Sequence, residues 1–274
     1  MNKDSMTQQF LTWEQAVLWL KAQPDQQELT RACFYDDPLI EAAQRFHNSS
    51  EWQSVRQYLP DNAGRALDLG AGRGIASYAL AKDGWDVTAL EPDPSALVGS
   101  NAVRALAQET GLKIHIVENQ GERLPFPDES FDAVYARQVL HHARDLKQLC
   151  RETARVLKKH GIFLATREHV ISRREDLSTF LAAHPLHKLY GGEHAYLLRE
   201  YLNAIRGSGI VLNAVLNSYQ SDINLYPETV SGLKQRIAAK VFLPASLIPN
   251  AALSWLGALD KTPGRLYTFV GRKL

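Results

Sequence analysis

The sequence predicts an α/β fold in which a doubly wound, mostly parallel sheet carries helices on both faces. Three observations predict it. From Ala66 onward, short runs rich in Val, Ile and Leu alternate with amphipathic stretches, the pattern of successive βαβ units. The apolar run ALDL is followed at once by the alternating glycines Gly70, Gly72 and Gly74 and then a helix-like stretch, which is where open parallel sheets take their ligands. No internal repeat, low-complexity tract or flexible linker interrupts the pattern, and 274 residues suffice to bury a sizeable core.

The elements follow in order. In WEQAVLWLKAQ, Trp13, Val17, Leu18 and Leu20 recur at roughly helical spacing, and Pro24 ends that helix. A second helical region is expected from about 39 to 59. Strands are expected at 65–69, 86–91, 113–118, 131–136, 162–166, 210–217 and 266–272, with helices at 74–82, 94–109, 146–158 and 194–206. The second of these helices opens with Asp93, Pro94 and Ser95, read as a cap followed by a first-turn proline, and stops at Gly111. The expected organisation is an N-terminal helical cap over 1–60 and a sheet domain over 61–274, with substrate-side insertions at about 170–205 and 222–264 that pack on the sheet.

Composition narrows the functional classes. With 31 Lys+Arg against 30 Asp+Glu, the chain has none of the excess positive charge by which nucleic-acid binding is usually recognised, so a small-molecule partner is expected and a nucleic acid is not. Cys33 and Cys150 stand far apart, in no metal or redox spacing, and read as buried thiols of a reducing compartment. The start MNKDSMTQQFLTWEQ has no apolar core of signal-peptide length behind a basic end, and the expected location is cytoplasmic. VFLPASLIPNAALSWLGAL (241–259) approaches membrane-spanning length, but Pro244 and Pro249 break it. A packed lid or a weak interfacial contact is expected there, not a transmembrane helix.

The glycine loop indicates the ligand. A dinucleotide site favours G-x-G-x-x-G, whereas the spacing here is G-x-G-x-G, with Ile75 where the last glycine or alanine would stand. Glu91 ends the second strand, seventeen residues after Gly74, where a carboxylate can accept from both ribose hydroxyls of an adenosine. Asp68, just before the loop, would repel a phosphate and suits a bound amine or sulfonium. These features together point to a nucleoside without a pyrophosphate.

At this point the sequence resembles the class I S-adenosylmethionine-dependent methyltransferases, in particular the small-molecule branch that modifies quinone precursors and sterols. LDLGAGRG (67–74), NQGERLPFPDESFDAVYARQVLHH (119–142) and RVLKKHGIFLAT (155–166) carry the resemblance in order over about 66–166. It implies a Rossmann-like seven-stranded sheet with an antiparallel last strand and S-adenosyl-L-methionine as cofactor. It assigns Asp68 and the Gly70, Gly72, Gly74 loop to the methionine part, Glu91 to the ribose, and Gln120, Gly121 and Glu122 to the adenine. Gln120 stands where the family usually has an acid, and its carbonyl can still accept from an adenine amino group. Arg137 stands where the family shows a small or polar residue. Its donor fork suits the cofactor carboxylate or an acidic substrate, and an ordinary surface arginine fits the position equally. The stretch 169–226 is similar to methyltransferases of bacterial surface-glycan and secondary-metabolite pathways, implying methylation of a sugar or secondary-metabolite hydroxyl.

Methyl transfer from a sulfonium needs an aligned acceptor, excluded water and one managed proton. Histidine is the usual base near neutral pH. His141 and His142 follow the fourth expected strand, and Arg167, Glu168 and His169 follow the fifth. The expected catalytic set is His169 as base, Glu168 as its orienting acid, and His142. The opposing expectation is that His141 and His142 cap the next helix and that Glu168 and His169 are a solvated strand end. HPLHKLYGGEHAY (184–196) groups His184, His187, Glu193 and His194, but Pro185 breaks the helix that would align the first two, and no metal is expected. Two other functional classes compete with a methyltransferase: a nicotinamide-dependent oxidoreductase on the related sheet, which Ile75 and Asp68 oppose, and a non-catalytic nucleoside-binding module.

Overall fold

A computed structural model describes residues 10–274; the first nine residues of the expected cap lie outside the described residues. The sheet contains β1 (Arg65–Leu69), β2 (Asp86–Leu90), β3 (Ile114–Val117), β4 (Phe131–Arg137), β5 (Leu157–Ile171), β6 (Tyr196–Leu197), β7 (Ile210–Leu216) and β8 (Arg265–Lys273). Its main path runs β3-β2-β1-β4-β5-β8-β7, with the two-residue β6 paired to β5. β1 to β5 are parallel, and β8 runs antiparallel to both β5 and β7. The fold is thus α/β with a mostly parallel sheet and antiparallel last strands.

Alternation along the strands builds a core on each face. Leu67, Val134 and Phe163 face one cluster, packed against the helices Leu146–Val156 and Leu198–Gly207 through Leu149, Ala154, Tyr201 and Ile205. Their neighbours Ala66, Ala133 and Leu164 face the other, where Phe34, Phe46, Trp52 and Tyr78 come from the N-terminal segment and the helix Ile75–Lys82. Successive residues therefore bury into opposite layers, as the period of a strand requires. The N-terminal helices Leu39–His47 and Ser50–Arg56 share this second layer; Ser49, whose hydroxyl accepts from the Trp52 N–H, splits what reads in sequence as one helix.

Several expected boundaries shift. The helix after β2 begins at Ser100, because Asp93 and Ser95 form side-chain turns instead of a cap: Asp93 accepts from the Ser95 N–H, and Ser95 Oγ from the N–H groups of Leu97 and Val98. The helix expected at 194–206 starts at Leu198, since Tyr196 and Leu197 pair with β5. β5 is three times its expected length, with a register shift against β8 between Ala165 and Glu168 where Arg167 adopts φ 60°.

No helix among the described residues is long and apolar enough to cross a membrane. The stretch 241–259 breaks into a short turn and the helix Asn250–Leu259, as its prolines require. None of its residues lines the main cavity, so it is not a lid over the site; it carries exposed Phe242, Leu247 and Trp255.

Candidate active site

The chain lays β2 and β3 on one side of β1, then crosses to place β4 on the other. Such a reversal leaves a crevice at the carboxyl ends of the two central strands. A cavity of about 720 Å³ opens there, lined by the loops after β1, β2, β3 and β4, by β5 and by segments on either side of the sheet.

The glycine loop folds back on β2: the N–H groups of Gly70 and Ala71 both donate to the Leu90 carbonyl, at 2.9 and 3.0 Å. Gly70 has φ 68°, and a Cβ there would lie 2.7 Å from a Val139 methyl, so both conformation and space call for glycine. The Gly72 N–H donates to Glu91 Oε2 at 2.7 Å and the Asp93 N–H to Oε1 at 2.9 Å. Each carboxylate oxygen thus has one backbone donor and one lone pair left for a ligand. Burial pushes the Glu91 carboxyl up to about 7, against the pull of those two N–H groups. Asp68 is buried, accepts from Ser77 Oγ at 2.6 Å, and is pushed up to about 6 by burial.

Gln120, Gly121 and Glu122 line the same cavity, where a side chain on Gly121 would strike Leu149. Glu122 also has a structural duty, accepting from the Arg144 N–H at 2.9 Å. Asp68, Gly70, Gly72, Glu91 and the 120–122 segment therefore meet as expected. Gly74, with φ 88° against Val103, starts the following helix and does not line the cavity.

Arg137 lines the cavity, but its fork is already occupied. Nε and Nη2 donate to the two oxygens of Glu51 at 2.6 and 3.0 Å, and the guanidinium lies over the rings of Phe34 and Phe46. Of the two readings open in sequence, neither describes this residue: it is a buried anchor for the N-terminal helices. Glu51, which sequence reasoning missed, is fully buried, and Arg167 Nη1 approaches it to 3.8 Å. Arg45, His47 and Trp52 do not line the cavity; the wall comes from the segment Trp13 to Tyr35, including Cys33. Arg73 ties that segment to the glycine loop through Asp37 and the carbonyls of Phe34 and Asp36. Cys33 is only partly buried, a correction to its expected burial, whereas Cys150 is buried.

The same cavity is also lined by His141, His142, His169, His184, Tyr190 and Glu193. The sequence reading has Glu168 orienting His169; the structure corrects this, since Glu168 bonds the loop after β4 and His141. The irregularity at Arg167 turns its carboxylate under the loop after β4, where Oε1 accepts from the N–H groups of Val139 and Leu140 and Oε2 from the N–H and Nδ1 of His141. Burial acts to raise this carboxyl, against the pull of its three backbone N–H donors. With the carboxylate ionised, the Nδ1–H of His141 donates to it and Nε2 bears the lone pair. His169 donates from Nδ1 to the Gly264 carbonyl at 2.8 Å, which likewise frees Nε2. Burial holds both imidazoles neutral, His141 well below its ordinary range and His169 down to about 3. His142 is exposed and lies 3.1 Å from the Gly192 carbonyl. Neither His141 nor His142 caps the next helix; Asp145 does.

The strand order, with β8 antiparallel between β5 and β7, and the glycine turn facing a terminal acid one strand away are those of a Rossmann-like methyltransferase fold. Residues 67–165 match the family described as "Methyltransferase domain". It is similar to the sarcosine/dimethylglycine N-methyltransferase of Aphanothece halophytica, 35% identical over 105 residues that cover 37% of each chain. It is also similar to a ubiquinone biosynthesis O-methyltransferase of Azorhizobium caulinodans, 29% identical over 41% of this chain and 43% of that one. The chain thus matches less than half the length of these relatives. A solved geranyl diphosphate methyltransferase in complex with SAM shares the fold over 88% of this chain and 94% of its own, with a TM-score of 0.59 at 16% identity.

Proposed function

We propose that the protein binds S-adenosyl-L-methionine and transfers its methyl group to a hydroxyl of a small polar molecule, a sugar or a secondary metabolite. The observation that carries the reading is Glu91. Its two oxygens are held by the Gly72 and Asp93 N–H groups in a cavity that also presents neutral imidazoles. The ribose diol donates to Glu91, Asp68 and the glycine loop receive the methionine part, and the base lies against Gln120 to Glu122. The acceptor lies among His141, His142, His169 and Tyr190. There the oxygen–methyl bond forms as the sulfur–methyl bond breaks, the sulfonium becomes a neutral thioether, and the acceptor loses its proton to the histidine cluster. His169 and His142 of the expected set stay beside the acceptor, and Glu168 positions His141 in place of His169. The relatives named above methylate different acceptors, so the hydroxyl rests on the polar, imidazole-lined acceptor end.

The pH dependence of binding has a definite sign. Glu91 accepts from both ribose hydroxyls only when ionised, and burial raises it so that the free protein carries it protonated below about 7. Affinity for S-adenosylmethionine is therefore expected to fall by up to about tenfold per pH unit below about pH 7, the slope for uptake of one proton. Calorimetry from about pH 8 to about pH 6 measures this, with NAD as the control ligand. Mass spectrometry of hydroxyl-bearing metabolites incubated with the protein should then show the gain of one methyl group. Retention of NAD in place of S-adenosylmethionine would contradict the reading.

A further inference from the structure

Three side chains from separate parts of the chain converge at the acceptor end: His141 from the turn after β4, His169 from β5 and Glu193 from the loop before β6. One ligand-capable atom of each lies within 4.8 Å of the other two. His141 Nε2 and Glu193 Oε2 are 3.7 Å apart.

What surrounds these atoms matters more than their proximity. His141 has its Nδ1–H bonded to the Glu168 carboxylate and His169 has its Nδ1–H bonded to the Gly264 carbonyl. A carboxylate or carbonyl behind each ring is the support that metal-ligating histidines almost always have, since it fixes the tautomer and leaves Nε2 as the donor atom. Glu193 is 8% exposed, and Tyr190 donates its hydroxyl to Oε1. Its other oxygen, Oε2, is buried and has no hydrogen-bond partner. An unpartnered buried carboxylate oxygen is costly unless something fills the position.

We propose that His141 Nε2, His169 Nε2 and Glu193 Oε2 form a binding site for a divalent transition-metal ion, with a remaining position open to the cavity. Two imidazoles and a carboxylate without a thiolate suit Zn2+, Co2+ and neighbouring first-row ions better than Mg2+ or Ca2+, which take oxygen ligands. Ligands of a tetrahedral ion lie about 3.4 Å apart, so the His141–Glu193 pair at 3.7 Å is nearly in place and the widest separation closes by up to about 1.4 Å on binding. The sequence grouping of His184, His187 and Glu193 missed the site because two of its ligands come from other strand ends.

The inference rests on the acceptor lying at this end of the cavity and deepens that reading. The open position takes the acceptor hydroxyl, whose pKa the ion lowers. With the ion bound, His141 and His169 act as ligands instead of proton acceptors, and the proton that the metal-free reading gives to the histidine cluster leaves the bound hydroxyl for solvent water.

The test uses the full chain, freed of metal with a chelator and dialysed against Zn2+, with Co2+ absorption as a second readout. The wild type is expected to retain one ion per chain, and Glu193→Gln and His169→Ala to weaken retention at least tenfold. S-adenosylmethionine affinity should be unchanged in both. Glu193→Gln keeps the Tyr190 contact, and a thermal melt matching the wild type establishes that it is folded. Equal retention by wild type and Glu193→Gln, or no retention by the wild type, overturns the site. If the cofactor binds normally in that case, the methyltransferase reading survives it. Retention of the ion without cofactor binding would instead overturn that reading and leave the metal site standing.

Discussion

Replacing Glu51 with glutamine is expected to lower the unfolding free energy by about 3–5 kcal/mol, the usual loss when one partner of a buried ion pair is removed. Its carboxylate is fully buried, takes two charge-assisted bonds from Arg137 and lies 3.8 Å from Arg167. The amide leaves both guanidinium groups buried without a counter-charge, and Arg167 already has an unpartnered buried Nε. Denaturant unfolding measures the loss. Coupling the change with Arg137→Met should recover part of it, because the stranded charge goes with the substitution. A loss below about 1 kcal/mol, the value of an exposed pair, would show that the N-terminal helices are held by apolar packing alone.

His141→Ala is expected to lower turnover on the order of a hundredfold or more while cofactor affinity stays the same. The substitution removes the imidazole that Glu168 fixes at the acceptor end and leaves four backbone and side-chain donors reduced to three around that carboxylate. Single-turnover methyl transfer, read beside calorimetric cofactor binding, separates the two effects. Unchanged turnover would remove His141 from the chemistry, whether as ligand or as proton acceptor.

The glycine-loop half of the site was legible in the sequence because it is local. An apolar run, a glycine turn and a terminal acid follow one another within a few dozen residues, and β1 and Glu91 stand where that order puts them. The histidine-lined half was not, because its geometry depends on a strand irregularity. Arg167 at φ 60° breaks the alternation of β5, so Glu168 and His169, neighbours in sequence, serve different partners. Period-two reasoning cannot see such a break. Glu51 was equally hidden: in sequence it is one acid on an amphipathic helix, and only the approach of that helix to the end of β4 makes it a buried counter-ion. The unexpected start of the helix at Ser100 has a local cause that could have been read, since Asp and Ser two residues apart beside a proline compete with a helix cap by forming turns.

The central claim is that Glu91 grips the ribose of S-adenosylmethionine. Calorimetric titration of that compound into the wild type and into Glu91→Ala tests it most directly. The expected result is saturable binding by the wild type and a loss of about 1–3 kcal/mol in the variant, the range for hydrogen bonds to a charged group. Equal affinity in the two proteins, or no binding by the wild type, would contradict it.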